Sequence, residues 1–443
     1  MTDSIPAKHE ERGPAGRASS GFASRRPGDG ASGVDQQSGS RLAATESMWE
    51  ELEALDAEHV MQTYAGQYDI AFVRGEGTRL WDSEGREYLD FLSGLAVVSL
   101  GHAHPKVAAA IAEQATTLLH VSNFFLNEWQ PRLAAKIDTL LGGGGRVFCS
   151  NSGAEANECA IKLARRFGQT HGGPDRFHVL SAYGSFHGRT LTTLAATGQP
   201  QKQETFQPLP SGFRQVAYAD LDALAAAMDE RVCAVLLEPI QGEGGVVPAP
   251  AGYLRAVRDL CDEREALLIM DEVQTGLGRT GRWFGFEHAE IAPDIVTLAK
   301  ALGNGVPIGA CWARDDVASA FRPGDHATTF GGQPFAARVA VTVLELMEEL
   351  DIPGLAEKAG ARLATSLELL PGVTSVRGSG LLLGAELAPD LDAPDVTKRC
   401  LDAGLVVNAV TPTTVRLAPP LLVSDDEIDE ALRILGAVLA AGA

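Results

Sequence analysis

An acid and a base stand at the ends of two apolar runs. One run, Ala266-Leu267-Leu268-Ile269-Met270, ends at Asp271 and continues as Glu272-Val273-Gln274. The other, Asp294-Ile295-Val296-Thr297-Leu298-Ala299, ends at Lys300. Short apolar runs bounded by polar or turn-forming residues read as buried strands. An aspartate and a lysine at the carboxyl ends of two such strands can be aimed at one heterocycle. Pyridoxal phosphate (PLP) needs that pair: a lysine to form a Schiff base, and an acid to hold the pyridinium nitrogen protonated. An unpaired Asp271 after five apolar residues would be costly, so it should meet a cationic partner. The bland alternatives are an aspartate that caps a helix and a surface lysine.

Other segments carry chemistry at compatible places. Asn151-Ser152-Gly153-Ala154-Glu155-Ala156-Asn157 follows an apolar run, with Ser152 and Glu155 at capping-box spacing. Taken alone it reads as a capped helix. Its free N–H groups and Gly153 would also suit a phosphate. Ser185-Phe186-His187-Gly188-Arg189 sets an aromatic beside a cation, able to stack on a ring and to fork onto a carboxylate. Pro239-Ile240-Gln241-Gly242-Glu243-Gly244-Gly245-Val246 is a Gly-rich loop at the end of a strand, a usual place for a site; Glu243 is a solvated acid or the partner of a cation. Thr328-Thr329-Phe330-Gly331-Gly332 offers two hydroxyls to a phosphate, or is a plain turn. His102 and His104 lack a third ligand at metal spacing, so no metal is expected.

The elements that must position these residues alternate in type. Strand-like runs at 146–149, 178–181, 233–238 and 266–271 alternate with helical patches between about 105 and 310. This predicts a mostly parallel sheet covered by helices. A hairpin is predicted over 78–92, turning at Asp82-Ser83-Glu84-Gly85. Residues 1–46, rich in Gly, Ser, Ala, Pro and Arg, are expected to be a disordered tail; a start at Met48 is the alternative. The expected division is 47–104 as an N-terminal segment packing with the small domain, 105–335 as a large domain, and 336–443 as a smaller α+β domain with helices at both ends.

Composition narrows the class. The chain has 443 residues, and its formal charge of -21 argues against nucleic acid or an anionic membrane surface as partner. No apolar run approaches the ~20 residues of a membrane span. Six cysteines form no CxxC pair, as expected of reduced thiols in the cytoplasm. Arg25-Arg26 is followed by Pro-Gly-Asp-Gly rather than an apolar segment, against export.

As a set, NSGAEAN, FHGRT, EPIQGEGG, LLIMDEVQTGLGRTG, LAKALGNG, TTFGG and VRLAPP resemble the class III (subgroup II) aminotransferases of the fold-type I PLP enzymes. The resemblance runs from about Tyr64 to the C-terminus. It implies an α/β fold, with a seven-stranded, mostly parallel sheet in the large domain. It implies Lys300 as the Schiff-base lysine and proton carrier, and Asp271 at the pyridinium nitrogen. Gln274 would lie at the ring's phenolic oxygen, with Val273 and Phe186 on its faces and Ser152, Gly153 and Ala154 on the phosphate. Thr329 would reach that phosphate from the neighbouring subunit and Thr328 would lie by the substrate, making a homodimer with shared sites. Arg189 would clamp the donor's α-carboxylate while Glu243 holds Arg416. With 2-oxoglutarate, Glu243 would swing away and Arg416 would take the α-carboxylate.

Two further stretches, YDIAFVRGEGTRLWDSEGREYLDFLSGLAVVSLGHAHP and SNFFLNEWQ, read like the acetylornithine branch of the family. This implies transfer of a δ-amino group from N2-acetylornithine to 2-oxoglutarate, a step of arginine biosynthesis. Ornithine, succinylornithine, 4-aminobutyrate, acetyl-lysine and succinyldiaminopimelate are the rival donors. A PLP aminomutase or decarboxylase is the rival of another class, and Arg416 speaks against it. The sequence departs from the family at Gln333 and Asn304, where Asn and Gly are usual. Leu126 stands where ornithine enzymes carry a tyrosine, which favours an acylated donor.

Overall fold

In a computed structural model, residues 48–64 and 68–441 are described. The expected tail over 1–46 lies outside them. At the centre is a seven-stranded sheet. Its order is Gly145–Ser150, Gly309–Arg314, Ile295–Leu298, Leu267–Asp271, Val232–Leu237, His178–Ala182, Phe213–Val216. Neighbours pair in parallel except at Gly309–Arg314, which runs against both of its partners. The sheet is thus mostly parallel, as expected, with one reversed strand that the alternation of patches did not show.

The middle strands are apolar on both faces because both are covered. Leu267 and Ile269 face the helix Gly153–Gly172, packing with Cys159, Ala160, Ile161 and Ala164. Leu268 and Met270 point the other way, into a larger core that includes Val257 and Phe284. Successive side chains alternate across the sheet, so each strand serves two cores. The helix that starts at Gly153 runs to Gly172. All six cysteines are free and buried.

The C-terminal part has an antiparallel sheet ordered Val373–Ser379, Leu382–Leu387, Thr414–Leu417, Asn408–Thr411. Helices Ile352–Leu367, Ala393–Asp402 and Asp425–Ala440 accompany it. Ser424 and Glu427 close a capping box at the start of the last helix. Near the N-terminus, Phe72–Glu76, Arg79–Asp82 and Glu87–Asp90 form a meander. Its turn is set by Gly85 at φ +81° and by Asp82 Oδ1, which accepts from Glu84 N and Arg86 N. Leu405–Val406 adds a fourth strand in parallel to Glu87–Asp90, so the two ends of the chain share a sheet. Among the described residues no helix is long and apolar enough to cross a membrane.

Candidate active site

The carboxyl ends of Val232–Leu237 and Leu267–Asp271 meet the start of helix Gly153–Gly172 around a cavity of about 470 Å³. Its walls include Ser152, Gly153, Ala154, Phe186, Arg189, Glu243, Asp271, Val273, Gln274 and Lys300. Ligands bind outside the carboxyl ends of strands in open α/β sheets because the helix N-termini and loops converge there. Ten of the residues singled out from sequence are therefore brought together. Arg416 borders the same place through its contacts. Thr328 and Thr329 line a different hollow, with Asn123, Phe124, Asn151 and Glu155.

Asp271 closes its strand and is 4% exposed. Its Oδ2 accepts from Asn157 Nδ2 and from His187 Nδ1, both at 2.8 Å, and its Oδ1 accepts from Val273 N at 3.1 Å. Thr297 Oγ1 donates to Asn157 Oδ1 at 2.8 Å, and Asn157 Nδ2 also reaches His187 O at 2.9 Å. Its side-chain partners are an imidazole and an amide; among the described residues neither a lysine nor an arginine pairs with it. Three donors from three segments fix the carboxylate's direction. His187 Nε2 is buried and has no partner among the described residues.

Lys300 follows Ile295–Leu298 by two residues and opens a short 3₁₀ turn, with φ +41°. A left-handed lysine costs roughly 1–3 kcal/mol and persists only where its surroundings impose it. Its side chain makes no hydrogen bond or ion pair among the described residues. Burial, and then the charge of Arg416, lower its pKa to about 8. A larger share of neutral amine, the nucleophilic form, follows.

Gly153 starts the helix where a Cβ would come within 2.8 Å of Val273 Cγ1, so only glycine lets that side chain close in. Ser152 caps the helix by accepting from Glu155 N at 3.2 Å. The reciprocal half of the expected capping box is missing. Glu155 Oε2 accepts instead from Asn151 N at 2.6 Å and Asn151 Nδ2 at 2.8 Å. The amides of the first helical turn have no partner within the helix and suit a phosphate.

Arg416 is 1% exposed. Its Nη1 donates to Glu243 Oε1 at 2.6 Å and approaches Gln274 Oε1 at 3.4 Å; its Nε donates to Asn408 Oδ1 at 3.1 Å. Its Nη2 is buried without a partner, a donor left for an anion. Burial pushes the Glu243 carboxyl up, but Arg416 and Lys300 outweigh it and hold the group below its usual range. Glu238 behaves oppositely: burial, and then the neighbouring Asp271, push it well above the carboxylate range. Its Oε2 accepts from Phe186 N at 3.1 Å.

Asn157, His187, Glu238 and Asn408 were not assigned from sequence. A polar residue one turn into a buried helix face is the signal that could have found Asn157. The two departures have local reasons. Asn304, at φ +45°, tolerates the left-handed region and bridges to the N-terminal segment through Leu100 N and Gly101 O. Gln333 Oε1 accepts from Val121 N. Leu126 is 95% exposed.

These features fit PLP. The helix start can hold its phosphate and Asp271 its ring nitrogen. Val273 and Phe186 can flank the ring, with Lys300 free to meet its aldehyde.

Comparisons with known proteins agree. The chain is 49% identical over 389 residues to an acetylornithine aminotransferase of Caldanaerobacter subterraneus subsp. tengcongensis, covering 87% of this chain and 98% of the relative. It is 45% identical over 388 residues to the acetylornithine aminotransferase of Methanocaldococcus jannaschii, covering 87% and 96%. Its fold is similar to a solved ornithine aminotransferase from Toxoplasma gondii with partial occupancy of PLP at its active site. There the TM-score is 0.85 and the identity 36%, over 89% of this chain and 95% of that one. The aminotransferase class-III model matches residues 60–439. With that match over a chain whose site is shaped for PLP, the protein belongs to the class-III aminotransferases, PLP-dependent enzymes that move an amino group from a small-molecule donor to a keto acid.

Proposed function

We propose that the protein moves the δ-amino group of N2-acetylornithine to 2-oxoglutarate, giving N-acetylglutamate 5-semialdehyde and glutamate, as a cytoplasmic homodimer in arginine biosynthesis. The observation that carries this reading is the ion pair at 2.6 Å between buried Arg416 and half-buried Glu243, bordering the cavity of Lys300 and Asp271. A two-substrate enzyme must receive a donor with one carboxylate and an acceptor with two. Masking Arg416 with Glu243 suits the donor, because a bare buried arginine would misalign it. Releasing Arg416 suits the acceptor. Relatives bearing the acetylornithine name at 45–49% identity support the choice of donor.

When bound, PLP supplies an aldehyde for the amine and a protonated ring that withdraws electrons. The chain's own groups do the rest. Asp271, oriented by Asn157 and His187, would hold the ring's N–H. Lys300 Nζ, buried in the cavity and with its pKa lowered to about 8, would hold the cofactor and would serve as the proton carrier. Arg189 orients the carboxylate remote from the reacting nitrogen. Thr329, in the second hollow, would serve the phosphate of a partner's site, with Thr328 beside it.

Absorbance titration of one half-reaction tests the reading. The PLP-loaded enzyme receives N2-acetylornithine, ornithine or 4-aminobutyrate without acceptor. Conversion to the pyridoxamine form should be far more efficient with N2-acetylornithine. A win by another donor transfers the enzyme to another step. Absence of any lysine-bound cofactor band after PLP is supplied sinks the enzyme reading.

A further inference from the structure

Two cations approach one aromatic ring that lines the cavity. Arg189 Cζ lies 5.7 Å, and Lys202 Nζ 5.2 Å, from the centre of the Phe186 ring. Neither side chain has an ion pair or hydrogen bond among the described residues. Glu243, the nearby acid, is turned to Arg416. Like charges gathered at one place repel, and the repulsion is relieved when an anion joins them.

The position of Lys202 is built. Its turn, Pro200–Gln203, is pinned to the Phe186 loop from several sides. Gln199 Nε2 donates to Ser185 O at 3.0 Å, and Gly198 N to Ser185 Oγ at 3.0 Å. Gln203 Nε2 donates to Thr197 O at 2.7 Å and Leu194 O at 3.0 Å. Gly198 lies so close to the strand His178–Ala182 that a Cβ would fall 1.9 Å from Ala182 O. Lys202 is half-buried, and burial followed by the charge of Arg189 lowers its pKa against the opposing pull of Glu243.

We propose that Lys202 is a second cation of the substrate-carboxylate subsite. With Arg189 beside the same Phe186 ring, it selects donors and acceptors that carry a carboxylate at the end remote from the reacting atom. The inference rests on the aminotransferase reading of the cavity. Arg189 alone can clamp one carboxylate edge; Lys202 adds a point charge that tolerates the different reach of the two substrates.

The test uses the PLP-loaded enzyme and glutarate, a dicarboxylate with no reactive carbonyl, by calorimetric titration. Lys202→Gln should raise the glutarate Kd roughly five- to tenfold, with Lys202→Arg close to wild type. The concentration dependence of both half-reactions should shift alike, with maximal rates nearly unchanged. Raising the salt should weaken wild-type binding more steeply than that of Lys202→Gln. Unchanged glutarate binding in Lys202→Gln overturns the proposal. So does a change confined to the 2-oxoglutarate half, which would make Lys202 a partner of Glu243. If the wild type turns over neither substrate yet Lys202→Gln still weakens glutarate, the reaction assignment falls and the subsite stands.

Discussion

Lys300 combines a strained backbone with an amine that titrates early, and the two have one cause. The left-handed turn drives the side chain into an enclosed space, where its charge is poorly solvated. A pKa lowered to about 8 means that ammonium predominates below that value and cannot attack an aldehyde. Loading of PLP onto the apoprotein should therefore speed up as pH rises through about 8 and level off above. Stopped-flow absorbance measures this, and a rate that stays flat from pH 7 to pH 9 counts against it. The pair Asp271 and Lys300 was legible because each ends an apolar run, where a charge has to have a purpose. Asn157, His187 and Glu238 were not. Their importance arises only when the helix after one strand and the loops after two others meet at Asp271, and no spacing along the chain encodes that meeting.

At the scale of elements, the loop Gly242–Val246 is the moving part the proposed function requires. Its far end is tied down. Arg377, on Val373–Ser379, donates through Nε to Gly245 O, through Nη1 to Glu386 Oε2 and through Nη2 to Thr414 Oγ1, each at 2.8 Å. Thr414 precedes Arg416 by two residues on one strand, so both leave it on the same face. One arginine thereby sets the distance between the Glu243 loop and the strand of Arg416. We expect Arg377→Gln to slow the donor half-reaction about tenfold while leaving the acceptor half nearly intact, as for loss of a charged hydrogen bond. Rapid mixing with each substrate alone would show it, and equal slowing of both halves would sink the idea. Val373–Ser379 itself escaped the sequence reading: its Thr, Ser, Arg and Gly give no apolar alternation. The reversed Gly309–Arg314 escaped for another reason, since an apolar run carries no sign of its direction.

The proposed dimer has a physical motive. Phe124 and Phe330 are 94% and 66% exposed in the wall of the hollow that holds Thr328 and Thr329, and Leu126, two residues after Phe124, is 95% exposed. Such a cluster on one chain marks an interaction surface. Thr329→Ala should weaken PLP retention about tenfold, as for loss of a hydrogen bond to phosphate. Mixed dimers with Lys300→Ala should regain retention at one of the two sites. Fluorescence of released PLP distinguishes this from additive loss, the outcome that would place Thr329 in its own chain's site. The sheet that joins the two ends of the chain has a consequence for how the protein is made. Glu87–Asp90 cannot be covered until Leu405–Val406 has been synthesised, and Ser93 waits for Ala418, 325 residues later. During translation that strand is an open edge, ready to pair with a neighbouring nascent chain. Birth order thus runs against assembly order, and a stop codon after residue 404 would undo the first strands to leave the ribosome while leaving their own sequence intact.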